Sequence, residues 1–127
     1  MKKPVHTGKA PAAIGPYSQA IRAGDFLFVS GQLGLDPATK KMVEGGLAAE
    51  AERALLNIGA ILEAAGGTMA DVVKTTVLLQ SMDDFPRLNE VYARFFAGEY
   101  PARAAYQVAR LPLGALVEIE AIAYVGA

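Results

Sequence analysis

Cysteine is absent from the 127 residues, and histidine occurs once, as His6. The first absence excludes disulfides, Cys-ligated zinc, iron–sulfur clusters and thiol nucleophiles in one step. The second argues against a protein-bound catalytic metal, whose site usually gathers about three His, Asp or Glu ligands, so no metal is expected. His6 reads as a solvated or hydrogen-bonded residue near the start of a strand. An excess of either charge is also missing: 12 Lys and Arg face 13 Asp and Glu, a net charge of −1. Nonspecific affinity for nucleic acid comes from many Lys and Arg contacts to phosphate, so this balance makes a nucleic-acid partner an unfavoured expectation. No segment reaches the ~18–20 consecutive apolar residues of a membrane span. The opening stretch MKKPVHTGKAPAAIGPYS is interrupted by Pro4, Gly8, Pro11, Gly15 and Pro16, where a signal peptide needs an apolar run of about 7–15 residues. A cytoplasmic protein with no membrane partner is expected.

What the chain does hold is apolar mass. Hydrophobic residues make up 53% and charged residues 20%, which excludes a disordered chain and predicts one domain over residues 1–127. So apolar a small chain is expected to bury further surface against copies of itself. Leu47, Ala51, Ala54, Leu55, Ile58, Ile61, Leu62 and Ala65 recur at steps of three and four, predicting a helix over 47–65 with Glu50, Arg53 and Asn57 on another face. Gly66 and Gly67 supply its stop. A second helix is predicted from Asp83 or Asp84, with Pro86 in its first turn, Leu88, Val91, Tyr92, Phe95 and Phe96 on one side, and Gly98 as its end. Strands are predicted over Gln19–Arg22, Phe26–Ser30, Val72–Leu79, Ala102–Ala109 and Val117–Val125, with a short one before Gly8. VVKTTVLL is apolar on both faces, the mark of a strand covered on both sides. Two helices can dress one face of a sheet, so a second subunit is the economical cover for the other. The expected class is α+β, a single mixed sheet with two helices on one face.

Chemistry concentrates in three places. Arg103 sits among Ala102, Ala104 and Ala105 in PARAAYQVARLP, where it is either a structurally paired strand residue or a bidentate clamp on a small carboxylate. Glu118 and Glu120 alternate with apolar residues in VEIEAIAYV and share a face with Ile122 and Tyr124. That face is either solvated or partly buried, and a carboxylate at its edge could position or deprotonate a water. Gly15 and Pro16 set a turn that presents Tyr17 and Ser18, while Ser30, Gly31 and Gln32 follow the apolar FLFV. The Gly31 and Gly34 spacing is too weak to read as a nucleotide clamp, and no phosphate-loop, dinucleotide or nucleophile-elbow motif is present.

Together APAAIGPYSQA, FVSGQLGLDP, VVKTTVLL, FPRLNEVYARFF, and PARAAYQVARLP followed by VEIEAIA resemble the RidA (YjgF-type) reactive-intermediate deaminase family from Lys9 to Ala123. The resemblance implies a chorismate-mutase-like subunit closing into a homotrimer with ligand clefts between subunits. By position, Arg103 matches the family's carboxylate-binding Arg, Tyr17 its loop Tyr, and Glu120 its water-positioning acid. Asn89, Ser30, Gly31 and Lys74 match positions lining or adjoining the cleft. Many bacterial members carry Ser then Cys or Thr after the Arg, whereas Ala104 and Ala105 stand here, as in animal-type members. No side-chain thiol or hydroxyl at 105 can then be essential, though the backbone N–H of Ala105 remains able to bind a carboxylate.

The implied reaction is hydrolysis of enamines and imines such as 2-aminoacrylate and 2-aminocrotonate to 2-oxo acids and ammonia, without metal or organic cofactor. Two rival readings stand beside it: a single-stranded RNA endoribonuclease or translation inhibitor, and a noncatalytic small-molecule or chaperone-like binder. One geometric test is available. If the strands at 102–109 and 117–125 paired as a hairpin, Glu120 would lie about five residues, or ~17 Å, from Arg103. One small substrate cannot bridge that gap, so either another strand intervenes or the two residues meet across a subunit boundary.

Overall fold

The computed structural model describes residues 1–126, which build one mixed six-stranded sheet and two α-helices. The strands are β1 (Lys3–Val5), β2 (Ala20–Ala23), β3 (Phe26–Gln32), β4 (Val72–Leu79), β5 (Ala102–Gln107) and β6 (Val117–Tyr124). The helices are α1 (Gly46–Ala64) and α2 (Phe85–Ala93). The expected α+β class holds, and β4 keeps its predicted limits residue for residue. The second helix does not run to Gly98. A 3-10 turn at Met82–Asp84 leads into α2, and beyond Ala93 the amides of Arg94 and Phe95 donate to carbonyls only three residues back. That tightening carries the chain off the helix axis, and Phe96 enters the core from the exit loop. β3 runs past the predicted Ser30 because its ladder resumes at Gln32 opposite Ile119.

The strand order is β1-β2-β3-β6-β4-β5. Neighbours run antiparallel except β4 and β5, which are parallel because α2 carries the chain back over the sheet between them. The supposed β5–β6 hairpin therefore does not form, and β4 lies between the two. Both helices pack on one face. Leu55, Ile58, Ile61 and Leu62 of α1 and Leu88 and Val91 of α2 meet Leu27, Val77, Leu79, Val117 and Ile119 in one core, each large side chain contributing roughly 1.5–3 kcal/mol by leaving water. Among the described residues, no helix is long and apolar enough to cross a membrane.

On the other face of α1, Glu50 and Asn57 are buried polar residues. Asn57 donates to the carbonyls of Leu33 and Leu35 at 3.2 and 3.0 Å and accepts from Arg53 Nε at 3.0 Å. Glu50 accepts from the amide of Leu116 at 2.8 Å. They satisfy loop backbone that would otherwise be buried unpaired, and so pin the two loops flanking β3 and β6 to the helix.

The other sheet face carries Phe26, Phe28, Tyr106 and Tyr124, which are 42%, 46%, 51% and 44% exposed. β4, expected to be covered on both sides, is buried here through Val72, Thr75, Val77 and Leu79, while Val73 and Lys74 are exposed and Thr76 and Leu78 are half-buried. An aromatic face of this kind on a single subunit is the surface the sequence reading assigns to another copy.

Candidate active site

Arg103 stands on β5, the outermost strand, opposite Thr75. Cross-strand partners share a face, so its side chain rises on the helix side beneath α2. There its guanidinium carbon lies 4.8 Å from the centre of the Tyr92 ring and 5.2 Å from that of Phe85, while Nη1 donates to Asn89 Oδ1 at 2.8 Å. Phe85, Asn89 and Tyr92 recur at steps of four and three and form one stripe of α2. Tyr92 is in turn fixed, its phenol sharing a buried 2.7 Å hydrogen bond with Thr75 Oγ1. Burial raises the Tyr92 pKa, opposed by the Thr75 hydrogen bond and by the charge of Arg103. Among the described residues the only ion pair is Lys9–Glu63, so the guanidinium has no acid of its own. It opens on a hollow of about 390 Å³ bordered by Asn89, Tyr92, Tyr100 and Pro101.

Ala105 follows on the same face, and its backbone has a further property. Val108 N–H donates to Leu79, and Tyr106, Ala104 and Ala102 share its alternation toward β4. The N–H groups of Arg103 and Ala105 therefore point the other way, to the unpaired outer edge of the sheet. The amide singled out as a carboxylate donor is free to act as one.

A second constellation lies on the opposite face. Tyr17, Ser30, Gly31, Glu118 and Glu120 line a cleft of about 690 Å³, walled by apolar residues that include Ile14 and Leu113. The loop bearing Tyr17 is tied down by Gln19, whose buried amide donates to the carbonyls of Pro11 and Thr7 at 2.8 and 3.0 Å. The β3–β6 ladder is paired at Val29 with Ala121 and again at Gln32 with Ile119. Ser30 and Gly31 thus oppose the single residue Glu120, a bulge that widens the sheet at the acid. Ser30 spends its hydroxyl proton on the Ser18 carbonyl, leaving its lone pairs to the cleft. A Cβ on Gly31 would stand 2.0 Å from Glu118 Oε2, so glycine is what seats that carboxyl. Gly34 has an unrelated duty, its Cα passing so close to α1 that a Cβ would meet the Glu50 backbone at 2.6 Å. Lys74 borders a smaller hollow of about 210 Å³ beside Glu120, with Phe28 and Thr76.

The sheet separates the two constellations. Glu120 pairs with Thr76, next in sequence to the Thr75 that pairs with Arg103, and consecutive strand residues point to opposite faces. Within one chain Arg103, Asn89 and Ala105 are brought together, as are Tyr17, Ser30, Gly31 and Glu120 with Lys74 alongside. Neither group reaches the other.

The model of the family described as Endoribonuclease L-PSP matches residues 7–125. The chain belongs to that family, the RidA/YjgF group. Among its relatives, the mouse 2-iminobutanoate/2-iminopropanoate deaminase is 56% identical over 126 residues, covering 99% of this chain and 93% of the relative. A RidA from an Antarctic Psychrobacter superposes with a TM-score of 0.94 at 52% identity, over 97% of this chain and 99% of the other. E. coli TdcF, solved with bound serine, gives 0.92 at 42% identity, over 96% and 98% of the two chains. The RidA/YjgF resemblance read from the motifs is thereby established. The sequence reading missed Phe85, Tyr92 and Thr75, the supports of Arg103. For Phe85 and Tyr92 the signal was the 85, 89, 92 spacing on one helix, masked because Tyr92 also belongs to the core stripe; Thr75, on β4, had none. It also passed over Glu118 in favour of Glu120.

Proposed function

We propose that the protein is a 2-iminobutanoate/2-iminopropanoate deaminase whose sites are assembled between the subunits of a homotrimer. The observation that carries the reading is the guanidinium of Arg103, without an acidic partner and held in place by two rings and one amide oxygen. A fork so fixed fits a small carboxylate, with the Ala105 N–H as a further donor. The identity to curated deaminases along almost the whole chain supports the same chemistry.

In this mechanism the enamine takes a proton from solvent at its terminal carbon and becomes the protonated imine, the iminium, while Arg103 holds its carboxylate. Water, aligned by Glu120, adds its oxygen to C2 as the C=N electron pair moves to nitrogen, and Glu120 takes the proton released. Collapse of the carbinolamine expels ammonia and leaves the 2-oxo acid. Orientation and one positioned base meet most of this demand. Tyr17, Ser30 and Gly31 shape the cleft around the reacting carbon. The separation of Arg103 from Glu120 by the sheet favours a site shared between chains, as does the exposed aromatic face, which a closed ring would cover.

RNA cleavage, the activity in the family's description, is the second reading. The large cleft offers phosphate the acidic residues Glu118 and Glu120 and no Lys or Arg, which weighs against it. Turnover of freshly generated 2-aminoacrylate, followed as ammonia or pyruvate, tests the assignment, and Arg103→Ala should abolish it in a folded protein. Wild-type-like turnover by that variant, or RNA cleavage in highly purified protein that the same substitution removes, would replace this reading.

A further inference from the structure

The reaction needs an acid as well as a base, because nitrogen leaves carbon only after gaining a proton. Glu118 meets that need in position and surroundings. It lies two residues from Glu120 on the same face of β6 and lines the same cleft. Its carboxyl is set against Gly31, where any side chain would collide with it. Its half-buried position is matched by no cation: across the ladder on β4 stands Leu78, the carboxyl lies against Gly31 of β3, and the titratable neighbours in the cleft are Glu120 and Tyr17. Lys74, also on β4, borders the hollow beside Glu120 instead.

We infer that Glu118 is the acid of this site and Glu120 its base. The inference rests on the deaminase reading above. In sequence, Glu120 accepts a proton from the attacking water as the C–O bond forms. Glu118 gives its proton to the carbinolamine nitrogen, the C–N bond breaks with its electrons going to nitrogen, and the carbinolamine O–H proton returns to Glu118 as the C=O bond forms. Ammonia then takes the proton from Glu120, so an iminium and water become a ketone and ammonium with both carboxyls restored. Burial, and then the charge of Glu120, raise the Glu118 pKa above the usual carboxylate range. Two neighbouring carboxyls in unlike surroundings, Glu118 half-buried against Gly31 and Glu120 exposed, are the arrangement that acid–base pairs require.

The test is the pH profile of kcat for wild type, Glu118→Gln and Gly31→Ala on 2-aminoacrylate. Glu118→Gln should lower kcat by about 10²-fold with KM within about threefold, and should remove the alkaline limb of the profile while leaving the acidic one. Gly31→Ala, which displaces the carboxyl without deleting it, should also lower kcat, and adding it to Glu118→Gln should cost little more. A Glu118→Gln protein within twofold of wild type at every pH would overturn the assignment, as would a loss that leaves the shape of the profile unchanged. Wild-type protein that fails to turn over 2-aminoacrylate would instead remove the deaminase reading itself, and this inference with it.

Discussion

The two halves of the site are built in opposite ways. At the β5 edge a single chain completes the work: Thr75 fixes Tyr92, Tyr92 and Phe85 flank Arg103, and Asn89 sets its rotation. In the open-face cleft the polar groups ride on a bulge and a glycine, and the walls include loop residues as exposed as Ile14 at 81% and Leu113 at 75%. One half is preorganised for binding and the other is left unfinished. On the proposed reading, affinity resides in one subunit's scaffold, whereas chemistry waits for whatever closes the cleft.

Substitutions should make the two halves fail differently. Glu120→Gln is expected to lower kcat by ~10²–10⁴-fold while a 2-oxo acid still binds, because the amide keeps the shape but cannot take a proton from water. Arg103→Ala should weaken binding of the same 2-oxo acid by ~1.5–3 kcal/mol, roughly 10–150-fold, measured by calorimetry. Arg103→Lys should recover little, since one ammonium does not reproduce the fork. Equal loss of binding in both variants would erase the distinction between the halves. Refolding the two inactive proteins together sharpens it. In random homotrimers with sites shared between chains, about a quarter of the sites pair an intact Arg103 with an intact Glu120, so about a quarter of wild-type activity should return. No recovery despite demonstrated mixing would place both residues in one chain's site.

How much of this the sequence carried depended on range. The α1 stripe and the VVKTTVLL strand were legible because each is a local periodicity, and Arg103, Tyr17 and Glu120 because their motifs are local too. Which strand β5 joins was not legible. Its partner is decided by the α2 crossover and by the burial of Val77 and Leu79 beneath both helices, a choice no repeat within ARAAYQ records. Placing Arg103 and Glu120 on opposite faces follows from that pairing alone, so the sequence left open what the strand order decides. The burial of Glu50 and Asn57 was not legible for a related reason: a polar residue at helical spacing looks the same whether it meets water or a buried loop carbonyl.

Tyr92 offers a smaller test confined to the preorganised half. Tyr92→Phe keeps the ring beneath Arg103 and deletes the bond to Thr75, whose hydroxyl is buried. The variant should lose ~1–3 kcal/mol of stability by denaturant titration, the cost of an orphaned buried hydroxyl, with KM changed less than about threefold. A large rise in KM at unchanged stability would mean that the phenol, rather than the ring, positions the guanidinium.

The smallest expected effect belongs to the open-face half, where burial and then the charge of Glu120 raise the folded-state pKa of Glu118. A raised carboxyl binds its proton more tightly folded than unfolded. Its stabilisation is therefore complete below the ordinary glutamate range and is lost as pH rises through the elevated value. Glutamine at this position never ionises and escapes that loss. The melting temperature of Glu118→Gln minus that of wild type, at one protein concentration, should consequently climb as pH rises above the ordinary glutamate range and level off once wild-type Glu118 is fully ionised. A difference constant across that range would show that the carboxyl is no harder to ionise in the folded cleft than in water, and the contrast between a prebuilt binding half and a strained acidic half would then rest on geometry alone.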